Sequence, residues 1–135
     1  MIRVHAVAGK NIKNVMENKI VIENPKGSYK SFEIKNDPLW KDYPITGVTY
    51  PVDYGYIKGY KSEDGHDLDV FVGSGELNGY IKIWRCDVPI ETKVIMHVTE
   101  KEWDEIVNIF SKVIKDKKLF NKDSEFEEFL SLYEK

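Results

Sequence analysis

One cysteine, two arginines and no long apolar run are what this chain of 135 residues has least of. The single thiol, Cys86, excludes an internal disulfide and fits a reducing compartment. No apolar stretch nears the roughly 18 residues that span a bilayer. The N-terminal MIRVHAVAGKNIKN lacks a secretory h-region and cleavage site, so a cytoplasmic location with no membrane partner is expected. A basic excess is missing too, because the net charge is −3 and the arginines are Arg3 and Arg85 alone. Phosphate neutralisation drives nucleic-acid affinity, so this balance argues against a dedicated nucleic-acid binder. Repeats, low-complexity tracts and composition shifts are absent, and residues 1–135 are expected to form a single domain with a substantial core. A homo-oligomer is left open.

What is present changes character along the chain. Lys19–Glu23 is β-branched and is broken by the turn sequence Asn24-Pro25-Lys26-Gly27-Ser28, with Ser31–Lys35 expected to return as the second strand of a hairpin. Thr49–Tyr60 reads as an irregular strand carrying four tyrosines, and Leu68–Val72, Tyr80–Trp84 and Lys93–Val98 complete the β set. From Trp103, apolar residues at Ile106, Val107, Phe110, Val113 and Ile114 take a helical period. Thr99 and Glu102 form a capping-box sequence ahead of it, and Lys115–Lys118 is expected to be the solvated end of this helix. Ser124 with Glu127 signals a second, shorter helix. Strands followed by helices predict an α+β fold with the helices packed on one side of a sheet or small barrel.

The chemistry concentrates in Asp64-Gly65-His66-Asp67-Leu68-Asp69-Val70-Phe71-Val72. Alternation along a strand puts Asp67, Asp69 and Phe71 on one face and Leu68, Val70 and Val72 on the other, the second being the expected core face. The two carboxylates then stand about 7 Å apart, and the Asp64-Gly65 turn can bring a third to the same side. Such an oxygen-rich cluster suits Mg²⁺ or Mn²⁺. An exposed acidic turn leading into a half-buried strand is the plain alternative. A calcium loop fits less well, because the glycine follows the first acid rather than the third.

The block TYPVDYGYIKGYKSEDGHDLDVFV resembles the soluble (family I) inorganic pyrophosphatases, which carry a YPxxYGYI-like segment and, ten residues after its second tyrosine, a D-G-D-P-x-D-V signature. Tyr54 and Asp64 have that spacing here. Ile22–Ser28 with Phe32-Glu33-Ile34 resembles the family's N-terminal hairpin, with Glu23 as its active-site glutamate, and CDVPIETKVIMHV resembles its later acids and phosphate-binding lysine. The resemblance implies a small twisted OB-like β-barrel with C-terminal helices. It further implies Asp64, Asp69, Asp87 and Glu91 as ligands of Mg²⁺ (or Mn²⁺), Tyr54 as a catalytic hydrogen-bonding group, and Lys93, Tyr50 and Glu23 at the substrate. The expected activity is metal-dependent hydrolysis of inorganic pyrophosphate, a small-molecule phosphoanhydride. Its charge must be offset by metals and lysines acting as point charges.

The pattern is departed from at three places. The family's middle aspartate is His66 here and its proline is Asp67, so either His66 or Asp67 is expected to act as the base. The family's lysine before the tyrosine-glutamate pair falls at Ser31, with Lys30 adjacent, and its arginine falls at Asp42, with Lys41 adjacent. Lys30 and Lys41 are the expected replacements. Fewer cations would also suit a nucleotide or other less charged phosphoanhydride, and a non-catalytic phosphate-binding module is a third reading. Ala8-Gly9-Lys10-Asn11 lacks the residues of a phosphate loop. His5 and His97 are read as structural, Cys86 as no nucleophile, and Lys112 as a distant candidate for phosphate contact.

Overall fold

The β-branched and aromatic runs pair as often with distant segments as with the strand next to them in sequence. The computed structural model describes residues 18–32 and 38–135. Their elements are β1 (Ile20–Asn24), β2 (Tyr29–Ser31), β3 (Gly47–Thr49), β4 (Asp53–Lys61), β5 (Asp67–Val72), β6 (Leu77–Ile83), β7 (Glu91–Val98), α1 (Glu100–Ile109), β8 (Ile114–Leu119) and α2 (Asp123–Ser131). His5, the Ala8–Asn11 segment, Glu33, Ile34 and Lys35 lie outside the described residues.

Six strands form one sheet in the order β1-β4-β5-β7-β6-β8, while β2 and β3 form a separate pair. Within the sheet β5 and β7 run parallel. The fold is α+β, and among the described residues the ladder stays open between β1 and β8. Among the described residues the expected hairpin between Lys19–Glu23 and Ser31–Lys35 is not made. β1 pairs with β4, Ile20 facing Ile57, and β2 pairs with β3, Tyr29 facing Thr49. The turn explains the parting: Ser28 N–H closes on Pro25 C=O at 3.0 Å and Gly27 N–H bonds Tyr50 C=O at 2.8 Å, which sends β2 toward β3.

Alternation along β5 and β7 splits the core in two. Leu68, Val70, Val94 and Met96 pack with Ile57, Phe126 and Leu130 on one face. Phe71 and Ile95 pack with Tyr50, Ile81, Ile83, Trp103, Ile106 and Phe110 on the other. The helices therefore cover opposite faces, α1 the second and α2 the first, rather than lying on one side. The face of β5 that carries Asp69 is accordingly no open surface, since Phe71 on it is fully buried.

Thr99 caps α1 with both arms of the box: Glu102 N–H donates to Thr99 Oγ1 at 3.1 Å and Thr99 N–H to Glu102 Oε1 at 2.9 Å. The helix stops at Ile109, earlier than its apolar period predicts. Val113 belongs to a turn, and Ile114–Leu119, including the expected helix end Lys115–Lys118, is β8 on the sheet edge. The open edge of β6 offers this segment a full ladder of backbone partners, and tertiary pairing overrides local propensity. Exposed lysines on that strand then protect the sheet edge from further pairing. The second helix begins at Asp123 with Lys122 at its N-cap and no side-chain cap, so the Ser124–Glu127 box is not formed.

Candidate functional site

The parallel register of β5 and β7 sets Asp69 beside Lys93, and the antiparallel register of β4 and β5 sets Tyr54 beside Phe71. These three polar side chains share a face and meet. Tyr54 Oη–H donates to Asp69 Oδ2 at 2.6 Å. Lys93 Nζ donates to Tyr54 Oη at 2.7 Å and to Asp69 Oδ2 at 2.9 Å. Glu91, two residues earlier on β7, brings Oε1 to 3.4 Å from the same ammonium. The Lys93 ammonium lies 5.2 Å from the Tyr54 ring centre and 5.9 Å from that of Phe110.

Burial alone would depress Lys93, but Asp69, Tyr54 and Glu91 more than reverse this and hold the ammonium well above its ordinary range. Burial also pushes the Tyr54 phenol up, with Lys93 opposing and Asp69 reinforcing. Both shifts favour the protonated form, leaving Lys93 an ammonium and Tyr54 a hydrogen-bond donor.

A second cluster hangs on the turn before β5. Gly65 takes φ +83°, a conformation that favours glycine, and Gly65 N–H bonds Ser62 C=O at 3.0 Å. Asp64 Oδ1 accepts from His66 N–H at 2.9 Å, closing an Asx turn. Its other oxygen points to Arg85, Nη1 being 3.5 Å from Asp64 Oδ2 and 3.2 Å from Glu91 Oε2. Asp87 grips the same guanidinium at Nε (3.2 Å) and Nη2 (3.3 Å). The Trp40 ring centre lies 5.2 Å from the guanidinium carbon.

Asp69, Glu91, Lys93 and Arg85 border a cavity of about 380 Å³. Tyr54, Tyr50, Lys30 and Ser31 line it too, with Trp40, Tyr43, Ile83 and Phe110 among its apolar walls. Tyr50 stacks on Tyr54 at 4.8 Å. Tyr43 donates to Trp84 C=O at 2.9 Å, and burial pushes its phenol up to about 12.

The expected site residues thus fall into groups. Tyr54, Tyr50, Lys30, Asp69, Glu91 and Lys93 meet at the cavity, and Asp64 and Asp87 join them through Arg85. Glu23 is exposed on β1, close enough to raise Tyr50's pKa, though less than burial does. Three others stand apart from the cavity lining. Lys41 and His66 are exposed, and Asp67 pairs with Lys61 at 2.9 Å. Lys112 is likewise exposed away from it.

Sequence reasoning misses Arg85 altogether. Its one signal is rarity, an arginine set two residues before Asp87 in a chain that has only one other. Trp40 and Tyr43 are missed as cavity walls because Asn36–Tyr43 reads as a loop, and Phe110 because its helical stripe reads as core, which it also is.

The donor set suits a hard divalent cation, since Asp64, Asp69, Asp87 and Glu91 offer oxygen only. The guanidinium of Arg85 is a stand-in cation on three of these carboxylates, and the ammonium of Lys93 is one on Asp69. With those side chains in place, no three Asp, Glu, His or Cys side chains among the described residues are grouped to hold an ion directly.

The pattern of the Inorganic Pyrophosphatase family matches residues 8–106. The chain is 40% identical over 60 residues to an inorganic pyrophosphatase of Corynebacterium glutamicum, covering 42% of this chain and 38% of that protein. It is 37% identical over 60 residues to one of Streptomyces coelicolor, covering 42% and 37%. The match therefore spans less than two fifths of the length of either relative. Among solved structures, an inorganic phosphatase from Anaplasma phagocytophilum superposes with a TM-score of 0.52 at 21% identity, over 85% of this chain and 90% of that one. An inorganic pyrophosphatase from Ehrlichia chaffeensis gives 0.52 at 17% identity, over 85% and 91%. At such identities these two show a shared fold. Since the family pattern takes in most of the sequence, from residue 8 into α1, the chain belongs to the inorganic pyrophosphatase family.

Proposed function

We propose that this protein hydrolyses inorganic pyrophosphate to two phosphates with Mg²⁺ or Mn²⁺ as cofactor. The observation that carries the reading is the Lys93–Tyr54–Asp69 cluster, a charged ammonium and a protonated phenol ordered on a carboxylate at the cavity wall. In the reaction a water oxygen bonds to one phosphorus as the bridging P–O bond breaks, and the bridging oxygen leaves with the second phosphate. Asp64, Asp69, Asp87 and Glu91 would hold a divalent ion, which would offset phosphate charge and lower the pKa of water.

The chain's own groups supply the rest. Lys93, Lys30 and Arg85 present positive charge to phosphate oxygens along the cavity. Tyr54, kept protonated, donates its hydrogen bond either to Asp69 or to a substrate oxygen. The water's proton goes to Asp67 or His66. Asp67 shares a strand face with Asp69 and acts once its pair with Lys61 opens, whereas His66 is exposed at the turn. Tyr50 stiffens Tyr54 by stacking, and Glu23 lies at the rim near Tyr50.

The test is phosphate release from pyrophosphate and from a panel of nucleotides, with Mg²⁺, Mn²⁺ or a chelator. Turnover of pyrophosphate that the chelator abolishes and Asp69→Asn removes, with the fold kept, is expected. Turnover confined to nucleotides, or none with any metal, overturns the proposal. Comparing His66→Ala with Asp67→Ala identifies the proton acceptor.

A further inference from the structure

We infer that Arg85 is a resident cation of the carboxylate cluster, which divalent ions must displace to reach Asp64, Asp87 and Glu91. The inference rests on the reading that these carboxylates hold the ion. Its ground is geometric. One nitrogen, Nη1, is shared by Asp64 and Glu91, and the other two nitrogens are taken by Asp87. The side chains of Asp64 and Glu91 are only 6% and 7% exposed, so each stays ionised at much lower cost with a cation beside it. Arg85 is that cation when no ion is bound.

An ion and the guanidinium cannot both have the position. Magnesium draws its oxygens to about 2.0–2.1 Å. The nitrogens of Arg85 hold the same oxygens at 3.2 to 3.5 Å, from the space between them. Arginine does not lose its proton in proteins, so its own deprotonation cannot vacate the site and the side chain has to move. The side chain is 29% exposed and already lies against Trp40, which offers it a resting place outside the cluster. The planar fork suits the position, because its five N–H donors in fixed directions reach carboxylates arriving from different sides.

Mn²⁺ binding by calorimetry, on the unaltered chain, Arg85→Met and Arg85→Lys, tests this. Arg85→Met is expected to bind Mn²⁺ about tenfold more tightly or more, or to take up one further ion per chain. Arg85→Lys is expected to fall between. Without ions Arg85→Met melts below the unaltered chain, and saturating Mn²⁺ closes the gap. Unchanged or weaker Mn²⁺ binding by a folded Arg85→Met, or no Mn²⁺ binding by any of the three, overturns the inference. If Arg85→Met does not fold, Arg85→Lys decides, tighter binding supporting the inference and unchanged binding overturning it. Phosphate release on the same preparations separates this from the proposed activity. Competition without hydrolysis overturns only the activity, and hydrolysis with Mn²⁺ binding indifferent to Arg85 overturns only the inference.

Discussion

Glu63 holds Thr92 by both its amide and its hydroxyl, Thr92 N–H donating to Oε1 at 2.9 Å and Thr92 Oγ1–H to Oε2 at 2.7 Å. The residue next to Asp64 is thereby tied to the residue between Glu91 and Lys93. Tyr133 donates to the same carboxylate at 3.2 Å, so the C-terminal end of the chain is drawn into the tie.

Glu63→Gln should therefore loosen the acidic turn without touching substrate. Burial acts to raise this carboxyl, but hydrogen bonds from Thr92 and Ser62 outweigh it and hold it below its ordinary value of 4.5. A depressed folded value stabilises the protein above about pH 4.5 and loses that contribution as pH falls through the folded pKa. The expected cost at pH 7 is about 1 kcal/mol, at the low end for charged hydrogen bonds because Glu63 is partly solvated. Denaturant midpoints measured from pH 7 down to pH 3 check it. The gap between variant and parent should narrow toward the acid end, and a constant gap would contradict the assignment.

Tyr54→Phe removes one hydroxyl and leaves the ring stack on Tyr50 in place. Phosphate release should fall by about tenfold, the worth of one well-placed hydrogen bond of about 1.4 kcal/mol. The fall should appear in kcat more than in KM if the phenol serves the transition state. An unchanged kcat would remove Tyr54 from the catalytic group.

These two residues mark how far the sequence is legible. Asp69 could be found because a strand's two-residue period sets it on one face with Asp67, and Tyr54 and Lys93 because the segments that carry them resemble those of the soluble inorganic pyrophosphatases. Glu63 and Arg85 could not. Each lies in irregular chain between strands, where no period says which way a side chain points, and Glu63 meets Thr92, 29 residues on, only through the β5–β7 register. β8 was hidden for a related reason, since a run of lysines and an aspartate carries no strand pattern and is a strand only because β6 has a free edge. The helix before it was legible at its start, where the capping box is local, and not at its end.

Lys93→Met would take the ammonium from between Asp69 and Glu91. Breaking a buried pair in this way costs about 3–5 kcal/mol, because the orphaned carboxylates stay behind. Melting temperature in chelator should fall accordingly, and part of the loss should return on adding Mn²⁺, which can neutralise the same carboxylates. Phosphate release should drop by about 10²- to 10³-fold even when Mn²⁺ restores the fold, as expected for a lost electrostatic contact to substrate. Recovery of full rate with Mn²⁺ alone would assign Lys93 a structural role only.

Gly55→Ala tests whether β1 is needed to hold Tyr54 in place. Gly55 lies opposite Ile22 in the β1–β4 ladder, beside an irregularity in the register. A Cβ built on it would run into the backbone carbonyl of Val21, which cannot give way as a flexible side chain would. The methyl group must therefore push β1 off β4, beginning beside Tyr54 and at the strand that carries Glu23. A loss of about 2–4 kcal/mol is expected, within the range of strained backbone substitutions. Hydrogen exchange should speed up in Ile20–Asn24 and in the facing amides of β4, while β6 and β7, which lie beyond β5, stay protected. Uniform protection across the sheet would show that β1 can shift without loss, and that the tyrosine face of β4 is held by β5 alone.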